Sequence, residues 1–446
     1  MSIEQFGYKQ ELKRALSTQD LIIYGMIFMV PIAPFGVYGY VADASKGMVA
    51  LAYLIGMFGM IFTAFSYASM SQAFPIAGSV YSYAQRGINE YVGFMAGWAI
   101  LADYILVPSL LYLVSAAALT ALWPQIPVWA WLVMFIGVNT VINIRGIELT
   151  AQANKFILIA EFIVLLIFVI VGLKALYGGT GSGSLTLLPL YDPNNFSLTT
   201  VMGAVSIAVL SFLGFDGIST LAEETKDKQA GVGRATILAL LIVGFLFILQ
   251  TWLASDLSQG MKFDNLDIVF YEIAGAAGGE WLKTLTIVAT GLSWGIANAL
   301  AAQAAISRIL FSMSRDRKLP QVFSKVHPEY NTPYISTIFV AVISLVVGLL
   351  FENQLATLTT IINFGALVSF LILNLSVVNY YIIRKRSQNY FRHLVLPIIG
   401  FVIIGYVLYG MESIAIQVGC SWLVLGLIYL IILTLTNKNK PFSLDV

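Results

Sequence analysis

Three acidic residues stand inside long apolar runs of the sequence: Asp103, Glu161 and Asp216. A charged side chain near the centre of a membrane costs about 3 kcal/mol even on lenient insertion scales, so such residues usually face a cavity or a partner. No basic residue matches them at that depth, because Lys155 lies near the end of its run, where its stem can reach the interface. The three acids therefore predict a site for a cationic group or for protons.

Each acid also has a purely structural interpretation. Glu161, isolated among apolar residues, is the best candidate for binding and releasing a proton, although it could instead only fasten its helix to a neighbour. Asp216 either faces an amine or caps a half-helix, whose N-terminus favours negative charge. For Asp103, next to Tyr104 and shortly before Pro108, a polar contact beside a kinked helix is favoured over contact with a substrate.

Two apolar runs are interrupted where a membrane helix should be continuous. Residues 31–36 read Pro-Ile-Ala-Pro-Phe-Gly, and residues 212–217 read Phe-Leu-Gly-Phe-Asp-Gly. In lipid an unwound backbone persists only where it is buried in protein or lines a cavity, and paired broken helices mark the solute site of secondary transporters. We expect a solute to be held between the two breaks, in contact with Ala33, Pro34, Phe35, Gly36, Asp103, Phe212, Phe215, Asp216, Gly217, Trp294 and Asn298.

The residue types at the breaks fit this expectation in two ways. Phe35, Phe212 and Phe215 could cover a solute or make cation–π contacts with an amine, or they could simply pack helices together. Gly36 and Gly217 would let the backbone unwind and approach a ligand closely, and small residues also pack helices.

Composition restricts the fold class. The 446 residues are 59% hydrophobic and only 11% charged, with a mean hydropathy of +0.86, which is typical of an integral membrane protein. The apolar runs are mostly about 20 residues or longer and do not alternate in polarity, so they predict helices and not barrel strands. A net charge of +1 shows no basic excess, so no nucleic-acid partner is expected.

The sequence contains no pattern for catalysis. Neither His327 nor His393 lies inside a predicted span, and there is no His, Asp and Glu cluster at metal-ligand spacing and no Gly-rich phosphate loop. We expect no enzymatic activity, no catalytic residues, no metal and no cofactor. The single cysteine, Cys420, rules out an intramolecular disulfide and is expected to be a small buried residue.

The apolar runs predict twelve transmembrane helices. If these are correct, 20 of the 24 lysines and arginines lie on one side, which places both termini in the cytoplasm. The predicted spans are about 20–43, 47–73, 91–122, 127–145, 148–176, 199–221, 233–255, 281–312, 333–351, 355–383, 394–411 and 414–436.

Spans 1–5 and 6–10 suggest two repeats, each opening with a broken helix. An odd number of spans per repeat inverts the second copy in the membrane. The single transmembrane domain, 1–446, would then comprise a cytoplasmic segment 1–19, a first repeat 20–176, a second repeat 199–383, two additional helices 394–436 and a cytoplasmic tail 437–446.

Several motifs occur in a characteristic order. They are Phe-Pro-Ile-Ala-Gly-Ser-Val-Tyr-Ser-Tyr at 74–83, Gly-Trp at 97–98, Ser-Phe-Leu-Gly-Phe-Asp-Gly at 211–217, Ser-Arg-Ile-Leu-Phe-Ser-Met-Ser-Arg-Asp at 307–316 and Asn-Thr-Pro at 331–333. In this order they resemble the amino acid–polyamine–organocation permeases over nearly the whole chain. Residues 206–225 and 363–368 are most similar to the bacterial putrescine importer subgroup.

The resemblance implies a five-plus-five inverted-repeat fold and uptake of amino acids or amines, coupled to protons or to exchange. Two departures bear on the substrate and the mechanism. The putrescine importers carry an Asp in the first break where this chain has Gly36, and proton-coupled members can carry a Lys near the position of Glu161. Amino-acid members instead carry a Gly-Ser-Gly type of stretch at the first break, which residues 36–39 match only loosely.

The leading functional hypothesis is a secondary active transporter in the plasma membrane that imports an amino acid or a small amine or polyamine, with Glu161 assisting proton coupling. Its partners would be the solute, protons and the lipid bilayer. The alternatives are an exchanger, a non-transporting nutrient receptor and a channel. The sequence leaves the oligomeric state open.

Overall fold

The structure, a computed structural model, describes residues 12–226, 230–263, 265–266, 268–352, 355–411 and 413–436. These residues form an all-helical bundle whose only β feature is a single bridge between Leu16 and Thr225, which confirms the predicted fold class. The predicted tail 437–446 and residues 1–11 of the predicted N-terminal segment lie outside the described residues.

Sixteen α-helices follow one another through the described ranges. They are α1 Thr18–Met29, α2 Pro34–Ser45, α3 Val49–Ala73, α4 Ser79–Gly87, α5 Glu90–Leu122, α6 Val128–Arg145, α7 Ile147–Tyr177, α8 Leu198–Ala208, α9 Ala230–Leu257, α10 Val269–Gly278, α11 Glu280–Leu292, α12 Ala299–Arg315, α13 Tyr334–Leu350, α14 Leu355–Val377, α15 Leu396–Tyr409 and α16 Ser413–Thr436.

Within the described ranges, ten helical stretches are long and apolar enough to cross a membrane, or up to eleven if the bent pair α1 and α2 is one span. Helix α13 is apolar but has only 17 residues. The stretch that contains α15 begins at Phe391, a few residues before the predicted start, and therefore includes His393. The number twelve and the inverted repeat stay predictions.

The first predicted break is confirmed. Helix α1 ends at Met29, α2 begins at Pro34, and the two are bent by 53°. Proline suits the first helical position because its missing N–H would have no intrahelical partner there. The break leaves the Pro31 carbonyl outside any helix, and the side-chain amide of Gln250 in α9 donates a 2.8 Å hydrogen bond to it.

The second predicted break is confirmed too. Helix α8 continues as a 3₁₀ turn to Phe212, the chain turns at Leu213 and Gly214, and a 3₁₀ helix then runs over Phe215–Glu224. Gly214 has φ 111°, a left-handed conformation that favours glycine, and a Cβ there would collide with the Phe28 ring. The Gly214 N–H donates to the Asp216 carboxylate at 3.3 Å.

A third irregular segment was not predicted. Between α11 and α12 the helix widens into a π-helical turn over Ser293–Asn298. Its Gly295 carbonyl accepts a 3.0 Å hydrogen bond from the side-chain amide of Asn139 in α6. Wide turns of this kind inside α-helices are frequently found at functional sites.

Helix α16 lies at the edge of the bundle and packs through one face. Its Trp422 stacks on Trp98 of α5 with 4.8 Å between ring centroids, and each indole N–H donates to the backbone carbonyl of the other residue, at 2.7 and 2.9 Å. Cys420 lies on the exposed face of α16. The expectation that Cys420 is buried was therefore wrong, because an apolar run at the bundle edge keeps one face outside the protein.

Two buried ion pairs join the end of the second broken helix to α12. Glu224 binds the Arg308 guanidinium through both oxygens, and Glu223 binds Arg315 at 2.8 and 3.0 Å. The backbone carbonyl of Glu224 also accepts the N–H groups of Ala15 and Leu16, each at 3.0 Å, which holds the segment before α1 against this cluster. The bundle is thus closed on the side where the described chain begins.

Replacing Glu224 by Gln should destabilise the fold strongly. The change leaves the Arg308 charge buried, with its side chain only 5% exposed, and breaking a buried pair in this way costs about 3–5 kcal/mol. Thermal unfolding of the purified protein in detergent should show a clearly lower midpoint. Asp43→Asn is the matched control, because the Asp43–Lys46 pair is about 60% exposed, and it should leave the midpoint unchanged. Equal midpoints for the two variants would contradict this assignment.

Candidate solute-binding site

The two breaks and the π-helical turn Ser293–Asn298 converge on one cavity. A space of about 50 Å³ lies between the two breaks, α5 and the π-helical turn. Ala33 lines it from the first break, Gly214 from the second, Asp103 from α5, and Trp294 and Asn298 from the π-helical turn. Of the residues predicted to bind solute, the structure therefore brings Ala33, Asp103, Trp294 and Asn298 together.

The cavity holds polar groups that the protein itself does not satisfy. Asp103 is 4% exposed, and its carboxylate has no hydrogen-bond partner in the described part of the chain. Likewise, the Trp294 indole N–H and the Asn298 carbonyl oxygen are buried without a partner among the described residues. No lysine, arginine or histidine is among the residues that line the cavity. The site is therefore acidic and has unpaired hydrogen-bonding groups of both kinds.

Asp216 lies behind the cavity wall. Its carboxylate accepts hydrogen bonds from the Tyr104 hydroxyl, from the Gly214 N–H and, at 3.5 Å, from the Tyr67 hydroxyl. Tyr104 itself lines the cavity, so Asp216 acts on the cavity through that ring. The side chain of Asp216 thus holds the second break in shape from within.

The three predicted phenylalanines lie in separate aromatic clusters and do not line the cavity. Phe35 stacks on Phe270 at 4.0 Å between centroids, Phe212 packs on Tyr53 and Phe247, and Phe215 packs on Tyr67 and Phe370. Phe28 of α1, which sequence reasoning missed, is the phenylalanine that lines the cavity, together with the aromatic rings of Tyr104 and Trp294. Gly217 also lies against the Phe28 ring and leaves no room for a Cβ. Phe28 precedes the first break by only a few residues, which was the available signal.

Gly36 and Trp294 fit against each other. A Cβ placed on Gly36 would lie 3.3 Å from Cζ2 and 3.5 Å from Cη2 of the Trp294 indole. Two N–H groups at this break are already used, since Phe35 donates to the Ile32 carbonyl at 3.0 Å and Gly36 donates to the Ala33 carbonyl at 3.1 Å. Pro34, which starts α2, has no N–H to offer.

Glu161 is buried in α7, 2% exposed, and is not among the cavity-lining residues. Neither of its carboxylate oxygens has a hydrogen-bond partner among the described residues, and Ser293 is a polar side chain that lies close to it. Ser293 opens the π-helical turn whose next residue, Trp294, lines the cavity. The carboxylate is therefore separated from the cavity by one turn of irregular backbone.

A chain of hydroxyl groups leads away from Asp216 and was also missed in the sequence. Ser79 donates to the Tyr67 hydroxyl at 3.5 Å, and Ser219 donates to Ser79 at 3.0 Å. Next to these residues, the Ala77 N–H donates to Glu223 at 2.9 Å. The motif at 74–83 was the available signal, and it connects the cavity wall to the buried ion pairs.

Adding a methyl group at Gly295 should disturb the π-helical turn. A Cβ there would lie 2.8 Å from Cβ and 2.9 Å from Oγ of Ser115, and overpacking of this kind costs about 1–3 kcal/mol. Gly137→Ala in α6 is the control, because nothing lies within 4 Å of its Cβ position. We expect Gly295→Ala to lower the thermal midpoint and Gly137→Ala to leave it unchanged or raise it slightly. The reverse order would contradict the described packing.

Long apolar helices, two broken spans and an internal, mostly apolar cavity that contains a buried acid indicate a multi-pass membrane protein of the transporter class. Comparison with known sequences agrees, because the family profile described as amino acid permease matches residues 21–436. The chain belongs to the amino acid permease family, as its motifs indicated.

Individual relatives align over nearly their whole length. The low-affinity putrescine importer PlaP of Escherichia coli K12 is 34% identical, over 96% of this chain and 95% of its own. The branched-chain amino acid permease BcaP of Bacillus subtilis is 24% identical, over 94% and 93%. A methylthioribose transporter of the same organism is 26% identical, over 93% and 90%. The names of these relatives refer to an amine, to amino acids and to a sugar derivative, so they do not define one substrate for this chain.

Proposed function

We propose that this protein is a secondary active transporter that imports a small solute bearing an ammonium group, an amino acid or an amine, across the plasma membrane. The observation that carries the proposal is the unpaired Asp103 carboxylate in a cavity without any basic lining residue. A buried carboxylate is costly unless an opposite charge compensates it. An ammonium group would supply that charge together with donors for Asp103 and for the Asn298 oxygen.

The topology proposed from the sequence places the side where the chain begins in the cytoplasm. Most lysines and arginines fall on the side where the chain begins, so both termini are proposed to be cytoplasmic. The Glu224–Arg308 and Glu223–Arg315 pairs lie on that side and would have to separate before solute could leave toward the cytoplasm. Release would then be controlled by two buried ion pairs and by the segment that precedes α1.

Glu161 is proposed to couple uptake to protons. Neither of its oxygens has a hydrogen-bond partner in the described part of the chain, and Ser293, which lies close to it, belongs to the turn that carries Trp294 and Asn298. A change in the charge of Glu161 would therefore act directly on the backbone that shapes the cavity. The alternative mode is exchange of one solute for another, in which Glu161 would only fasten α7 to this turn.

Asp103→Asn should weaken recognition of the ammonium group strongly. The substitution keeps the size of the side chain but removes a charge-assisted hydrogen bond of about 1.5–3 kcal/mol, which corresponds to a loss of affinity of about ten- to a hundredfold. The measurement is uptake of radiolabelled amines and amino acids into proteoliposomes, with substrates chosen by thermal shift of the purified protein. Asp43→Asn, which alters an exposed pair far along α2 from the break, should transport normally. Unchanged substrate affinity in Asp103→Asn would refute the proposed site.

Glu161→Gln should separate proton-driven uptake from exchange. We expect the variant to lose accumulation driven by an imposed pH gradient while it keeps part of its solute exchange, because Gln cannot release a proton. Accumulation against the solute gradient in the wild-type protein would exclude a channel and a receptor without turnover. If wild-type uptake depends strictly on internal solute and ignores the pH gradient, the exchange mode is correct and the coupling role of Glu161 is wrong.

A further inference from the structure

The Trp294 indole N–H points to a more specific substrate. We infer that the cavity takes a solute with one ammonium group and, at its other end, a neutral hydrogen-bond acceptor such as a hydroxyl, ether or amide carbonyl, and that Trp294 selects this class. The ammonium end rests on the proposed function. The acceptor end rests on two independent features of Trp294, its buried N–H group and its packing against Gly36.

The indole N–H of Trp294 makes no hydrogen bond to the described part of the protein. Trp294 is 6% exposed and lines the cavity. An indole N–H can only donate. A buried donor without an acceptor is unfavourable, so a solute that brings an acceptor to this point gains affinity, and one that brings a second ammonium group, which has no acceptor, does not.

The second feature is the packing of the indole against Gly36. A Cβ at Gly36 would lie 3.3 Å from one atom of the ring, so a side chain at position 36 would press on the indole, which would have to shift slightly. The next atoms of Trp294 and Thr290, at 3.5 and 3.9 Å, are at ordinary contact distance. With glycine at position 36, the first break offers no second carboxylate for the far end of a diamine, and the indole of Trp294 packs there instead.

The groups around the cavity favour a neutral acceptor over an anionic one. A solute carboxylate would need a cation or free backbone N–H groups, and the cavity lining has no basic residue, while Phe35 and Gly36 donate to neighbouring carbonyls. Asp103 lines the cavity and Asp216 lies behind its wall, so neither supplies the positive charge that a solute carboxylate needs. An anionic end would therefore be buried without compensation, whereas a neutral acceptor needs only the Trp294 N–H.

The experiment uses four probe series, each with two to six carbons: amino alcohols, diamines, ω-amino acids and alkylamines. Their dissociation constants are measured by thermal shift on the purified full-length protein, and their uptake is measured in proteoliposomes. We expect the best amino alcohol to bind about five- to tenfold more tightly than the alkylamine and the diamine of the same length, because one buried hydrogen bond is made. The ω-amino acid should bind more weakly than the amino alcohol.

Trp294→Phe should remove the preference without removing amine binding. Phenylalanine keeps an aromatic ring but has no N–H, so the amino alcohol should fall to the affinity of the alkylamine, whose own affinity should stay the same. Trp131→Phe is the matched control: Trp131 Nε1 is also buried without a partner, yet Trp131 lies in α6 and does not line the cavity. This control should keep the wild-type ranking.

The possible outcomes distinguish this inference from the proposed function. Diamines or ω-amino acids that bind the wild-type protein at least as tightly as the amino alcohols would overturn the inference and leave ammonium recognition in place. An amino alcohol preference that survives in Trp294→Phe would overturn the role of Trp294. If no probe with an ammonium group binds or accumulates, the proposed function fails, and the inference fails with it.

Discussion

The hydrogen bond from Gln250 to the Pro31 carbonyl meets a requirement that governs this whole bundle. In hydrocarbon no water can satisfy a backbone group that leaves its helix. Each of the three irregular segments at the cavity has a side chain that does so: Gln250 for the first break, Asp216 for the second and Asn139 for the π-helical turn. Gln250 and Asn139 come from distant helices, and Asp216, which belongs to the second break itself, is held by the hydroxyl groups of Tyr104 and Tyr67. The three segments are therefore stable only when the bundle is assembled.

The same requirement explains why the cavity lies where it does. Irregular backbone is tolerated only inside the protein, and three such segments that meet cannot pack as closely as regular helices. Groups that face the resulting space are left without protein partners, as for Asp103 and the Trp294 N–H. Those unsatisfied groups destabilise the fold slightly, and a solute can form the hydrogen bonds that the protein leaves unmade.

Charge is distributed unevenly along this interior. The carboxylate of Asp103 lines the cavity and that of Asp216 lies behind its wall, whereas the carboxylates of Glu223 and Glu224 are paired with arginines toward the side where the chain begins. The 3₁₀ helix Phe215–Glu224 carries both kinds of site, with Asp216 at its beginning and the two glutamates at its end. A displacement of this short helix would therefore change the cavity wall and the buried ion pairs together.

The sequence by itself determined the membrane class, the position of both breaks, the family and four of the residues that meet at the cavity. Hydropathy and the Gly and Pro positions are local properties, and lipid imposes the same rule on every span. Tertiary structure alone decided that Phe28 forms the aromatic wall while Phe35, Phe212 and Phe215 pack elsewhere. The direction of a side chain at a break depends on the local backbone turn, and the hydropathy pattern does not specify that turn. Only the folded bundle brings Trp294 against Gly36, because that contact joins residues far apart in the chain and depends on how their helices pack.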